Sequence, residues 1–441
     1  MTRVIVDPGT RNCRNMGDVA MLRVALARIG EVLPDSTIHV FTEDPAELAR
    51  QCPGVHPLSH WAREAWLDDR QLWGGLRRVL RGPAWRLAAR AQDRVRRHRP
   101  GLYRRALDLR FLGRPGGAEE LATFPDRLSG ADALVFAGQG TLADAARDHA
   151  RSMLATAAFA HAAGVPVVFF GQGIGPLSDA GLRRLAAAIL PHARLVALRE
   201  ERQGRALVEA LGVRPDRIVM TGDDAVELAA GLRPDHLGSG VGIHLRIAPE
   251  ALRDGTVPAR LRPVLHAFAR SRGVPLIPLP ISHHQVGAND PRTIRWLLAG
   301  FDDASDGGVA ADTPDEVIRA AGRCRVIVTG AYHAAVFSLA QGVSVICLGR
   351  SAYYLDKFHG LRDQFGSGCQ VLDLDDPALA DMLSAAMESA WERADAHRAG
   401  LIETADGQIA AGRAAYLRLE GIVPVRSAPE TTTAVLPGVQ S

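Results

Sequence analysis

Two side chains able to move a proton or hold an anion, His333 and Lys357, lie in the stretch RVIVTGAYHAAVFSLAQGVSVICLGRSAYYLDKFHG, from Arg325 to Gly360. An imidazole titrates near neutrality and serves as a proton carrier. Lys357 is the single lysine among 52 Lys and Arg residues. In a chain that otherwise uses arginine for its cations, a compact ammonium suggests a task that a planar guanidinium does badly, either anion binding or acid/base chemistry. The flanking pattern says where the two groups sit. Val326 to Val328 is an apolar run broken by Thr329-Gly330, an Ala-rich segment continues to Gly342, and Val343 to Leu348 is a second β-branched run. This order reads as strand, helix, strand in a buried parallel sheet. His333 falls just after the first strand at the helix start and Lys357 beyond the carboxyl end of the second. Both are expected to face one crevice, where ligands of open α/β sheets bind.

Other loaded loops repeat this placement. Arg3 to Asp7 is a strand, and the following PGTRNCRNMGD is too long and too Gly/Asn-rich for an ordinary turn. It brings Asn15, Gly17 and Asp18 to a helix N-terminus, where Asp18 either caps the helix or meets substrate. Gly138-Gln139-Gly140 and Gly171-Gln172-Gly173 are read as turns that put bare backbone at a strand end and helix start, open to a ligand or the opposing domain. Neither is a dinucleotide fingerprint, because Ala143 and Pro176 stand where the third glycine belongs. Arg199-Glu200, Gly222-Asp223-Asp224 and Arg246 also follow predicted strands, and Asp223 or Asp224 is a candidate base or hydroxyl acceptor. PISHHQ carries His283 and His284, a phosphate or hydroxyl contact or a local cap. The five cysteines have neither a CxxC pair nor zinc spacing. Only Cys13, in the first functional loop, was open to a nucleophilic role, and no metal site is expected.

The elements that must position these groups follow from size and periodicity. At 441 residues, 47% hydrophobic and 23% charged, the chain suggests two domains with full cores. A net charge of +3 argues against nucleic acid as a partner. No apolar run reaches the roughly 18 residues of a membrane span, and MTRVIVD begins a strand, so a cytoplasmic protein is expected. Residues 1–232 form the expected first domain and 240–423 the second, with 424–441 as a disordered tail. Residues 61–115 break the α/β pattern: four tryptophans alternate with a dense series of arginines, and apolar residues recur at helical spacing. This helical insertion is a solvated face, a grip on an acidic or lipid-linked acceptor, a peripheral membrane contact or a nucleic-acid contact.

TGAYHAAVFSLAQGVSVICL followed by a Tyr/Lys loop resembles the carboxyl-terminal signature of the polysaccharide pyruvyl transferase family. GQGIGP at Gly171 to Pro176 and the Asn15-x-Gly17-Asp18 element resemble two further family motifs. The signature departs at one place, since Ala331 stands where the family has Arg and Tyr332 where it has an aliphatic residue. The resemblance covers Asn15 to Lys357 without the insertion. It implies an α/β fold of two Rossmann-like, doubly wound domains facing across a cleft, as in B-type glycosyltransferases. It implies transfer of an enolpyruvyl unit from phosphoenolpyruvate, a co-substrate with no further cofactor, onto a sugar or lipid-linked sugar. His333 and Asp18 would be catalytic. Arg246, Lys357, Tyr332, Gly330 and His283 would bind the donor. Asn15, Gly17, Gly138, Gln139, Gly140, Gln172, Gly173, Arg199 and Asp223 would lie on the acceptor side. The alternatives are a nucleotide-sugar glycosyltransferase of the same fold and a non-catalytic carbohydrate or partner-binding protein.

Overall fold

The computed structural model describes residues 2–67, 83–111, 117–246, 256–284 and 289–423. The expected tail at 424–441 and part of the insertion lie outside the described residues.

Short apolar strands alternate with helices throughout, and that alternation produces two parallel sheets. The first sheet contains β1 (Thr2–Asp7), β2 (Ser36–Thr42), β3 (His56–Ser59), β4 (Ala133–Phe136), β5 (Gln139–Leu142), β6 (Val167–Ile174), β7 (Leu195–Leu198) and β8 (Ile218–Met220). Its order is β3-β2-β1-β4-β6-β7-β8, with β5 beside β6. The second sheet contains β9 (Gly240–His244), β10 (Leu276–Pro278), β11 (Cys324–Thr329), β12 (Ser344–Gly349) and β13 (Cys369–Asp373), in the order β10-β9-β11-β12-β13. All pairings are parallel. In each sheet the chain order reverses at one point, between β1 and β4 and between β9 and β11. Such a reversal splays the connecting loops apart and opens a crevice at the carboxyl ends of the strands.

Helices α1 (Met16–Val32), α2 (Pro45–Gln51), α3 (His60–Leu67), α4 (Pro83–His98), α5 (Pro100–Arg110), α6 (Gly117–Ser129), α7 (Arg147–Ala162), α8 (Ala180–Ile189), α9 (Gly204–Ala210) and α10 (Ala225–Ala230) belong to the first half. The second half contributes α11 (Thr256–Arg272), α12 (Asp290–Leu298), α13 (Pro314–Gly322), α14 (Tyr332–Ala340), α15 (Ala352–Phe365), α16 (Leu379–Glu392), α17 (Ala394–Leu417) and α18 (Leu419–Ile422). The last two run back to the first sheet. Ala415, Tyr416, Leu419 and Val423 are buried in one cluster with Val4, Val40 and Val135. The Tyr416 ring stacks on Phe170 with centroids 3.8 Å apart, and its hydroxyl donates to Asp224 at 2.9 Å.

The two halves are joined along the cleft by backbone and core. Met16 N–H donates to the Ile281 carbonyl at 2.8 Å, His283 N–H donates to the Arg14 carbonyl at 2.9 Å, and Asn15 forms a bridge with Ser282. Met16, Ala20 and Met21 of α1 share a buried apolar cluster with Ile281, Ala331 and Tyr332 of the second half. The Tyr353 hydroxyl donates to the Gly140 carbonyl at 2.9 Å, and Gln364 Nε2 donates to the Arg199 carbonyl at 2.8 Å. These contacts hold the loop after β1 against the start of α14.

Two expectations about local structure change. The Gly-Gln-Gly stretches are strand segments, not strand-to-helix turns: Gln139 opens β5 and pairs with Gln172 inside β6. The segment bearing Lys357 is the helix α15, capped by the Ser351 side chain, which accepts from Tyr354 N–H.

Candidate active site

The helix α1 begins at Met16 because Asn15 supplies its cap, its Oδ1 accepting from the N–H groups of Gly17 and Asp18. A cap satisfies donors that the first helical turn leaves unpaired. Asn15 therefore holds the loop in place, and the Asp18 carboxylate is spared that duty. It sits half-buried at the cleft floor, with Arg199, Arg246 and Lys357 near enough to act on it. Burial pushes its carboxyl up to about 6, against the opposing pull of those three cations.

His333 occupies the first turn of α14 and is 8% exposed. Its ring lies on Gly17, where a methyl group would fall inside the contact radius of the imidazole. Nε2 is 3.7 Å from Asp223 Oδ2 and has no hydrogen-bond partner. Burial, then the neighbouring Arg199, Lys357 and Arg246, hold the ring well below the usual histidine range. The resting imidazole is thus neutral, which corrects the expectation of a histidine tuned near neutrality.

Arg199, at the end of β7, was expected on the acceptor side. It instead reaches across the interface and lies over the Tyr332 ring at 4.3 Å from the centroid. Nη1 donates to Asp223 Oδ2 at 3.2 Å, while Nε is buried without a partner. Gly140 and Gly173 make room for it: a Cβ at Gly173 would stand 2.7 Å from Arg199 Nε, and one at Gly140 would stand 3.0 Å from Lys357 Nζ. Side chains at these positions would displace the cations, so these two glycines serve the guanidinium and the ammonium. The guanidinium thus stands over Tyr332, the residue after Ala331, where the family has its arginine.

Lys357 Nζ rests over the Tyr353 ring at 4.1 Å. Burial, aided by Arg199 and opposed by Asp18 and Glu200, lowers its ammonium to about 7. Arg246 follows β9 and is anchored by Asp290 at 2.9 Å. Asp290 also accepts from Ile281 and Ser282 N–H and lies 2.9 Å from His244 Nε2. Despite its burial, this set of cationic and N–H partners keeps Asp290 ionised, with its pKa well below the usual range. Gly330 lets the β11–α14 turn pass Arg246, whose backbone nitrogen would be 3.0 Å from a Cβ there.

Several expected contacts lie elsewhere. Gln172 is fully buried and its amide donates to the Ala137 and Phe170 carbonyls, each at 2.7 Å; it braces strands. Gly138 packs on Met21. Gln139 is fully buried as well, with Oε1 accepting from Thr141 at 2.6 Å. His283 bonds to the backbone of Ala311 and lies among Asp290, Asp312 and Arg50, so it braces the interface. It is His284 whose proton affinity is lowered by burial and then by Arg246. Burial pushes the Cys13 thiol up to about 12, the wrong direction for a nucleophile.

Sequence reading missed a second polar group, at the carboxyl edge of the first sheet. Arg63 of α3 forms a fully buried ion pair with Asp7 at 2.6 Å and contacts His60, while His149 meets Gln139 Oε1 at 3.0 Å. Burial lowers His149 to about 4. Glu43, His60 and Glu64 place potential ligand atoms within 4.8 Å of one another, but Arg11 already engages both carboxylates, at 3.5 and 3.1 Å. These residues are far apart in sequence, and only the regular placement of loops after β1, β2 and β3 could have pointed to them.

Solved structures with this architecture include UDP-GlcNAc 2-epimerase from Neisseria meningitidis bound to UDP-GlcNAc (TM-score 0.53, 10% identity, covering 94% of this chain and 98% of that one). A second UDP-N-acetylglucosamine 2-epimerase gives 0.54 at 11% identity and 96% coverage of both chains. S. aureus MnaA with UDP gives 0.52 at 13%, covering 93% and 94%. At such identities the likeness is one of fold, the two-domain glycosyltransferase-B type. Among curated proteins none matches. The sequence profile of the polysaccharide pyruvyl transferases matches residues 15–352. That span runs from the capped loop before α1 through both crevices to the start of α15, and the chain belongs to the polysaccharide pyruvyl transferase family.

Proposed function

We propose that this transferase moves the enolpyruvyl unit of phosphoenolpyruvate onto a sugar-containing acceptor and releases phosphate. The observation that carries this reading is the convergence of Arg199, Arg246 and Lys357 around Asp18 and His333 in one interdomain cleft. A small donor bearing both a carboxylate and a phosphate needs several cations in a small space, and a forked guanidinium suits a carboxylate. Arg246, positioned by Asp290, and Arg199 with its unpartnered Nε serve that purpose.

In this mechanism the methylene carbon of the donor takes a proton, which creates an oxocarbenium-like centre. An acceptor hydroxyl adds to that centre as its proton passes to Asp18. The phosphate then leaves, taking the proton held by Asp18, and a second hydroxyl adds to the renewed oxocarbenium-like centre and closes the ketal, its proton returning to His333. His333 is neutral in the free protein, so the negative charge of the donor must raise its proton affinity on binding. The acid therefore forms together with the substrate complex. Asp223, 3.7 Å from Nε2, stabilises the resulting imidazolium. The polar edge formed by His60, Arg63, Gln139 and His149 lies on the acceptor side.

Binding separates this reading from its competitor. In a thermal-shift screen, phosphoenolpyruvate at a hundred times its Kd should stabilise the protein by about 2.7 kcal/mol. Stabilisation by UDP-sugars alone would replace the reading with a nucleotide-sugar glycosyltransferase, and a flat response to both would point to a binding protein.

The pH dependence has a defined sign. Asp18 must be ionised to accept a proton and Lys357 must be protonated to hold an anion. The kcat/KM profile reports the free enzyme, so it should fall below about 6, where Asp18 protonates, and above about 7, where Lys357 loses its charge. Lys357→Arg should lower the maximum but remove the alkaline limb, since a guanidinium stays charged. An alkaline limb unchanged in that variant would assign it to another group.

A further inference from the structure

Residues 61–115 contain fifteen arginines against five Asp and Glu, a net +10 in a chain whose total is +3, so the remainder carries −7. Within this segment α4 and α5 are joined at Arg99 and turn Gln92 and Tyr103 inward, with Gln92 Nε2 donating to the Tyr103 hydroxyl at 3.1 Å. Helical spacing then fixes the outer face. On α4 it presents Leu87, Arg90 and Arg94; on α5 it presents Leu102, Arg105 and Leu109. All six are exposed. Leu87, Leu109 and Leu102, at 70%, 69% and 58% exposure, are the three most exposed large apolar side chains among the described residues.

We propose that this α4–α5 face docks on an anionic lipid bilayer. Arginines alone would suit any polyanion. Leucines set between them on the same face gain nothing from a phosphodiester chain in water, whereas they can enter the acyl boundary while the guanidiniums pair with headgroups. The separation of charge supports the same partner, because the acidic remainder of the protein would be held away from the membrane. No described helix is long and apolar enough to cross a membrane, so the attachment is peripheral. The inference does not depend on the transferase reading. One link between them is that α3, in the same insertion, brings His60 and Arg63 to the carboxyl edge of the first sheet.

The test is co-sedimentation of the full-length protein with vesicles of phosphatidylcholine alone or with one quarter phosphatidylglycerol. The protein should pellet with the anionic vesicles, pellet little with the neutral ones, and be released as salt shortens the screening length. Arg90→Glu, Arg94→Glu and Arg105→Glu together should lower partition on the order of a hundredfold. Leu102→Ser with Leu109→Ser should lower it at unchanged charge. These positions are exposed, so melting curves should match wild type. Equal binding to both vesicle types, no binding to anionic vesicles at low salt, or wild-type partition by both variants would overturn the proposal. So would release from vesicles by equimolar single-stranded nucleic acid, which would reassign the face to a polyanion. Turnover is not read in any arm, so failure here leaves the donor chemistry untouched.

Discussion

His333→Ala should reduce turnover by about 10²–10⁴-fold, the usual contribution of a positioned acid or base, while donor affinity changes little. The imidazole is neutral at rest and is surrounded by three cations that carry the donor's charge, so its removal costs few ground-state contacts. What disappears is the proton delivered once the donor has arrived, an interaction specific to the transition state, and such a loss lowers kcat rather than raising KM. His333→Gln offers a control that retains a donor group but cannot carry a proton. If the glutamine variant restores most of the rate, His333 acts by hydrogen bonding and the proton comes from elsewhere, with Lys357 the nearest alternative. Steady-state kinetics together with donor titration by melting temperature distinguish the cases.

Gly17→Ala should be nearly as damaging, although it adds only a methyl group. That group would occupy the space of the His333 ring, and neither partner can yield easily. The Gly17 N–H is held by the Asn15 cap, the neighbouring Met16 N–H is held by Ile281 across the interface, and the ring is packed beside Tyr332. Overpacking of this kind costs typically about 1–3 kcal/mol, and here relief requires either rotating His333 away from Asp223 or parting the two domains. Turnover should fall at least about a hundredfold, with secondary structure intact and cleavage by dilute protease near residues 10–18 accelerated. A Gly17→Ala enzyme with wild-type kinetics would show that the contact opens during catalysis and that the ring works from another position.

The sequence made the architecture legible because parallel strands are buried on both faces and announce themselves as short apolar runs. It also marked His333 by its place after β11 and Lys357 by its isolation among arginines. It failed where function depends on the meeting of distant segments. Asp18 was open to a capping role, and only backbone geometry shows that Asn15 takes that duty. Gln172 and Gln139 looked like ligand contacts because glycines flank them, yet the strand extends through Gly173, the Gln172 amide braces neighbouring backbone, and Gln139 is engaged by the Thr141 and His149 side chains. Arg199 was assigned to the acceptor side of the cleft. Its neighbour Tyr332 opens α14 in the other half of the chain, and no spacing rule relates the two. The same holds for Asp7, Arg63 and His149, which converge through tertiary packing alone.

The return of α17 and α18 to the first sheet gives the protein a nested order of assembly. Val4, Val40 and Val135 leave the ribosome well before the Ala415, Tyr416 and Leu419 side chains that share their core. Domains made in sequence generally fold as they emerge, and here the second sheet must form as an insert before the first can close its core. Until then one flank of the nascent first sheet stays apolar and open, a natural substrate for holdase chaperones. Helix α18 thus acts as a clasp, and the sheet begun first is closed only after the second has been made.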